Sequence, residues 1–144
     1  MSLNVNCLKS AQSRAGLIDL LKHHKPDLIA LQEVNLNTEE LSLLVNACGY
    51  SAFSNIDITN PHVRGTAMLW KNSIASENIT VVQEDCMIFL DIGGMKFINL
   101  YAPSGRNKRQ ERQVFFGETL ERVIRNCGKT LPIIIGDYNV YFQT

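Results

Sequence analysis

Five polar positions stand where apolar runs stop: Asn6, Glu33 (after Gln32), Tyr101, Asp137 and Asn139. The sharpest case is Pro132-Ile133-Ile134-Ile135, which ends at Gly136 and is followed by Asp137 and Asn139, one residue apart. Carboxylates, amides and a phenol together suit a hard divalent cation and a phosphate. Oxygen donors of this kind hold Mg²⁺, which keeps several waters and shares a phosphate oxygen. No histidine or cysteine belongs to the set, which disfavours zinc. Each residue also has a plainer explanation. Asp-x-Asn after Gly makes a good turn, because both side chains bond nearby backbone. Tyr101 before Ala102-Pro103 fits a half-buried aromatic with a wet hydroxyl. The case for chemistry rests on all of them falling at strand ends in one chain.

Periodicity names the elements that must bring them together. Residues 3–6 alternate as a short strand ending at Asn6. Residues 10–24 read as a helix with Leu17, Leu20 and Leu21 on one face, stopped by Pro26. Residues 27–33 form an apolar strand. Asn37, with Glu40 three residues on, predicts a capping box. The helix it starts has an apolar face of Leu41, Leu44, Val45 and Cys48, and Gly49 ends it. Residues 50–53, 66–70 and 78–83 read as strands, and 55–65 as a polar loop. Two apolar runs flank Gly93-Gly94, a pair suited to the positive φ values of a tight hairpin. Residues 105–112 are the basic start of a third helix, with a stripe of Phe116, Leu120, Val123 or Ile124, and Cys127. A last strand reaches Ile135. Helices alternate with strands at both ends, around a meander of strands, which predicts a layered α/β domain. If the strands run the same way in one sheet, the polar residues collect at one edge, where such sheets bind ligands.

The 144 residues suffice for one core, and the 14 basic and 14 acidic residues cancel. That balance weighs mildly against strong non-specific DNA binding. Cys7, Cys48, Cys86 and Cys127 form no C-x-x-C pair and read as reduced thiols of an intracellular protein. No apolar run approaches the roughly 18 residues of a membrane span, so no membrane partner is expected. Nothing at the N-terminus resembles a signal peptide. The closing residues 139–144 are similar to a protease-cleavage tag, which sets the last few apart from the domain.

The stretches LNVNCLKS, KPDLIALQEV, RGTAMLW, INLYAPSG and LPIIIGDYN, in this order, resemble the endonuclease/exonuclease/phosphatase family, with its DNase I-like fold. Within it, RGTAMLW and LYAPSGRNKRQERQVFF look most like the endonucleases of LINE-type non-LTR retrotransposons. The resemblance implies that residues 1–144 are the N-terminal half of a layered α/β sandwich, one mixed sheet with helices on its outer face. It implies Mg²⁺ or Mn²⁺ as cofactor, DNA as partner and an intracellular, nuclear location. By position, Glu33 is the metal-binding glutamate and Asn6 contacts metal or phosphate. Asn4 orients its neighbours beside the phosphate. Tyr101 supports the scissile phosphate, Asp137 aligns or deprotonates the attacking water, and Asn139 holds the phosphate in the transition state. Arg106, Lys108 and Arg109, just after Tyr101, fit contacts to DNA phosphates or, equally, a solvated helix start.

Three departures stand out. Cys7 replaces a common Gly, and Ser104 replaces an Asn; both are expected to weaken local hydrogen bonding only. The third is the family's catalytic histidine, which belongs to a second half; His23, His24 and His62 are not in its motif. The function expected is Mg²⁺-dependent hydrolysis of DNA phosphodiesters, incomplete in this chain. The alternatives are a phosphatase or phosphodiesterase acting on lipid or inositol phosphates, and an inactive fragment. A half domain also predicts an exposed apolar sheet face, carried by LIAL, MIFL and III. A second copy would cover it, as a homodimer stacked sheet on sheet.

Overall fold

The computed structural model describes residues 1–56, 65–75, 79–84 and 86–140. Most of the expected polar loop 55–65, with His62 and Arg64, lies outside the described residues, as do residues 141–144. The elements in chain order are β1 (Ser2–Asn4), α1 (Ala11–His24), β2 (Leu28–Gln32), α2 (Thr38–Asn46), β3 (Tyr50–Asn55), β4 (Thr66–Lys71), β5 (Ile79–Glu84), β6 (Met87–Ile92), β7 (Met95–Tyr101) and β8 (Ile133–Asp137). Between β7 and β8 run a 3₁₀ turn (Arg106–Lys108), α3 (Arg109–Val114), a π-helical turn (Phe115–Leu120) and α4 (Glu121–Asn126).

Local chemistry sets the boundaries. Ser10 caps α1 by accepting from the Ser13 N–H at 3.0 Å. Asn37 and Glu40 form the expected reciprocal capping box at α2, with both bonds at 2.9 Å. Gly93 and Gly94, at φ 56° and 90°, turn β6 into β7.

The layered α/β sandwich matches expectation; the count of sheets does not. Among the described residues there are two four-stranded sheets, ordered β1-β2-β4-β3 and β5-β6-β7-β8. Each is mixed: β1 lies parallel to β2, and β8 parallel to β7, while the other pairs are antiparallel. Alternation along the strands builds three apolar layers. Ile29 and Leu31 of β2 pack with Leu17 and Leu21 of α1 and Leu41 and Val45 of α2. Ile98 and Leu100 of β7 pack with Phe115, Leu120 and Val123. The opposite faces, with Ala30, Met68, Ile88 and Leu90 fully buried, pack against each other. Helices therefore cover the outer faces and the sheets cover their inner faces within one chain.

That arrangement removes the premise of the sheet-on-sheet homodimer. The inner faces of LIAL, in the first sheet, and MIFL, in the second, already cover each other within the chain. The outermost strands keep some apolar exposure, with Leu3 of β1 36% and Ile133 of β8 54% exposed. The third helix also departs from plan. A regular helix puts Phe116 four residues before Leu120, on the inner stripe. The π turn adds a residue to that spacing, so Phe115 takes the buried position five residues before Leu120 and Phe116 swings half out.

Candidate active site

The expected polar residues meet, but across two sheets rather than along one edge. On the face of each sheet that looks at the other, the last position or two are polar. Asn4 on β1 and Gln32 on β2 stand side by side in register. Tyr101 on β7 pairs with Asp137 on β8. Parallel pairing sends both strands of each pair to the same end, so a first-sheet pair faces a second-sheet pair there.

Asn4 is the junction. One hydrogen of its Nδ2 goes to Glu33 Oε1 and the other to Asp137 Oδ2, each at 3.0 Å. Two carboxylates from different sheets thus share one amide group. The Asn4 Oδ1 accepts the backbone N–H of Asn6 at 3.0 Å, which holds the amide in that orientation. The Tyr101 hydroxyl donates to Glu33 Oε1 at 3.1 Å, across the seam between the sheets. Burial pushes the Tyr101 phenol up; the Ser104 hydroxyl beside it pulls the other way, and the Glu33 and Asp137 charges add to the rise. Tyr101 is therefore a neutral donor at neutral pH.

The loop after β8 supports both readings of Asp-x-Asn. The Asn139 N–H donates to Asp137 Oδ1 at 3.0 Å, a side-chain turn. Asn139 Nδ2 donates to the Ala102 carbonyl at 2.7 Å, one hydrogen of two. Between them Tyr138 stacks on Phe116, with ring centroids 6.2 Å apart and planes 13° from parallel. The π turn thus braces the loop that carries the acid and the amide.

Backbone strain concentrates here. Among the described residues, every non-glycine residue with positive φ except Lys25 lies in these loops: Asn6 (45°), Cys7 (78°), Glu33 (60°), Asn35 (55°) and Asn139 (48°). Asn tolerates that region; Cys and Glu rarely enter it, and such strain gathers at functional sites. Cys7 departs from expectation. It keeps its hydrogen bond, from its N–H to the Glu33 carbonyl at 2.8 Å, and the burden is the left-handed backbone instead.

Asn6 joins the cluster through its N–H on Asn4, and the remaining expected residues fall outside it. β1 stops at Asn4, so Asn6 sits two residues beyond it, exposed, in a loop beside Glu33. Lys108 pairs with Glu111 one helical turn on, and Arg109 is exposed at the start of α3. Arg106 opens the 3₁₀ turn. Arg112, not singled out from sequence, donates to the Pro103 and Gly105 carbonyls at 2.9 and 2.7 Å and fixes the loop joining Tyr101 to that turn. His23 and His24 lie in the last turn of α1, edge to face against each other.

Among the described residues no group of three or more His, Cys, Asp or Glu has metal-holding geometry. The donors present are two carboxylates and amide oxygens, which fit a hard cation that retains most of its water and needs only one or two carboxylates. They do not fit a soft or borderline metal.

The profile of the Endonuclease/Exonuclease/phosphatase family matches residues 1–142. The chain belongs to this family. Solved structures share the fold at low identity. An AP endonuclease from Archaeoglobus fulgidus is 23% identical, with a TM-score of 0.69 over 96% of this chain and 56% of that one. The 3′ phosphatase NExo from Neisseria, bound to a product DNA hairpin, is 17% identical with a TM-score of 0.72 over 96% and 56%. TDP2 from D. rerio, complexed with a single-strand DNA product, is 20% identical with a TM-score of 0.65 over 98% and 60%. The chain thus spans 56–60% of the length of these structures. Among curated proteins, none matches it. Within this family member, sequence reasoning noted Gln32 only as a strand end and passed over Asn99. The signal was there: Asn99 interrupts an apolar strand on the same face as Phe97 and Tyr101.

Proposed function

We propose that this chain is the N-terminal half of a Mg²⁺-dependent endonuclease that hydrolyses DNA phosphodiester bonds, of the nicking type found in LINE-like retrotransposons. The observation that carries the reading is the Asn4 amide holding the carboxylates of Glu33 and Asp137 together, with the Tyr101 hydroxyl on Glu33. DNA products bound to NExo and to TDP2, proteins of the same fold, support DNA as the substrate.

Glu33, with Asn6, would hold the cation, which when bound supplies Lewis acidity toward a phosphate oxygen and the leaving group. The chain's own residues supply part of the rest, and the catalytic histidine expected of the second half would join them in binding the developing charge. Asp137, oriented by Asn4 and by the Asn139 N–H, takes a proton from the attacking water; general-base help of this kind is worth about 10²–10⁴-fold. The second hydrogen of Asn139 Nδ2 is a preorganised donor for charge developing on the phosphate; the neutral Tyr101 hydroxyl, whose one hydrogen rests on Glu33, would turn from that carboxylate to support the phosphate. Arg109 and Lys108 lie just past Tyr101, where backbone phosphates on either side of the cut would pass.

The test is nicking of supercoiled plasmid by the domain that carries this segment, with Mg²⁺. Asp137→Ala and Asn139→Ala should each lower the rate by at least about 10²-fold without unfolding the chain. Unchanged nicking in either variant reduces the motif to a turn. Hydrolysis of inositol phosphates in preference to plasmid would replace DNA as substrate.

A further inference from the structure

Asn99 lies in the middle of β7 and is fully buried. A lone amide among apolar side chains is expensive to bury unless its bonds are made. They are made, and none to its own sheet. Nδ2 donates to the Leu31 carbonyl at 2.9 Å and the Ala67 carbonyl at 2.8 Å. Oδ1 accepts from Gln32 Nε2 at 2.8 Å. Leu31 and Gln32 belong to β2 and Ala67 to β4, all in the first sheet. Gln32, 1% exposed, passes the connection on: its Nε2 also donates to Ser2 Oγ on β1 at 3.2 Å.

The position along the seam matters. Farther down, the sheets meet through Leu28, Trp70, Ile79 and Ile92, side chains that tolerate sliding and repacking. Hydrogen bonds are directional, and a fully satisfied buried network selects one packing. Gln32 immediately precedes Glu33. Asn99 is two residues before Tyr101, on the same face of β7. The bond from Tyr101 to Glu33 is the next polar contact along the seam.

We infer that Asn99 and Gln32 are positioning residues, a buried amide lock that sets the register between the two sheets at which Glu33, Tyr101 and Asp137 meet. Its consequence for a cation rests on the reading proposed above; its geometry does not.

The deciding variant replaces both amides: Gln32→Leu/Asn99→Leu. Removing both amides leaves neither side chain buried and unpaired, while the Leu31 and Ala67 carbonyls lose their Asn99 bonds. The chain is expected to stay folded, with a modestly lower urea midpoint. It should bind Mn²⁺ at least about tenfold more weakly by calorimetry, the scale on which residues supporting a metal ligand act. In the metal-free chain, the NMR proton contact between the Tyr101 ring and the Asn4 side-chain amide should disappear. A folded double variant that keeps both the affinity and the contact overturns the lock. If the wild-type chain takes up no Mn²⁺, the metal reading fails, and the proton contact alone decides the lock. Should the double variant not fold, Gln32→Met serves. It leaves both Asn99-to-carbonyl bonds in place and should weaken Mn²⁺ binding and the contact together. An unchanged affinity and contact in that variant overturns the lock as well.

Discussion

A residue in left-handed backbone is a place where a side chain works against the fold. Cys7, at φ 78°, is the clearest example, because nothing in cysteine favours that conformation. Its N–H bond to Glu33 comes from the backbone and would survive any side chain there. Glycine removes the clash and adds chain entropy to the unfolded state, two effects of opposite sign. The first is the larger, so Cys7→Gly should stabilise the chain by about 0.5–1 kcal/mol. Urea denaturation of the two chains measures it; a less stable Gly variant would show that the thiol, not the backbone, matters. Glu33 and Asn139 carry the same kind of strain, yet their side chains hold the site's bonds, so relieving them should remove function.

At the scale of elements, β8 decides whether Asp137 reaches Asn4. Gly136 pairs with Leu100 of β7, and its φ is 143°. A Cβ built there would lie 2.0 Å from the Leu100 carbonyl oxygen, which is backbone and cannot turn aside. The run of three isoleucines therefore has to end in glycine for the strand to stay paired up to Asp137. Gly136→Ala should destabilise the chain by about 2–3 kcal/mol, the scale of forced backbone strain and a lost strand pair. Thermal denaturation checks this, and a change below about 0.5 kcal/mol would mean that β8 shifts without consequence. The helix before β8 makes the complementary point. Its π turn gives the buried position to Phe115 and leaves Phe116 at the edge of the core, stacked on Tyr138, so one irregular turn braces the loop that β8 ends in.

For the whole molecule, burial of titratable groups sets an alkaline limit. Tyr50 is buried with its hydroxyl donating to the Pro26 carbonyl at 2.8 Å, and burial pushes its phenol up. Burial does the same to Tyr101 and to the Cys127 thiol. In the unfolded chain these groups lose their protons at ordinary values, about 8.5 for Cys and 10 for Tyr. The folded state holds them longer, so above those values the unfolded state binds fewer protons and stability falls as pH rises. The urea midpoint should be level near neutral pH and decline above about pH 9. Tyr50→Phe should lower stability at neutral pH by about 1 kcal/mol, from its lost hydrogen bond, and make the alkaline decline shallower. An equally steep decline in Tyr50→Phe would assign the limit to other groups.

Much of this protein was decided within short windows of sequence. The capping box of Asn37 and Glu40, the Gly93-Gly94 hairpin, the helix after Ser10 and the polar residues ending the strands all depend on neighbours a few positions apart, which is why they were legible. Family membership rests on the same stretches. The number of sheets was not legible. Both faces of β2 and β7 are apolar, so alternation is silent about what covers each face, and β2 pairs on its second edge with β4 rather than with the next strand, β3. The inner stripe of the third helix was legible at Leu120, Val123 and Cys127 but not at its start, where a π turn shifts phase without any marker in composition and puts Phe115 in the place expected of Phe116. The site itself belongs to the tertiary structure. Asn4 and Asp137 are 133 residues apart and meet only because β1 and β8 are outermost strands of two sheets packed face to face. Sequence supplied the acids and amides. The packing of one sheet on the other put them within one amide group of each other.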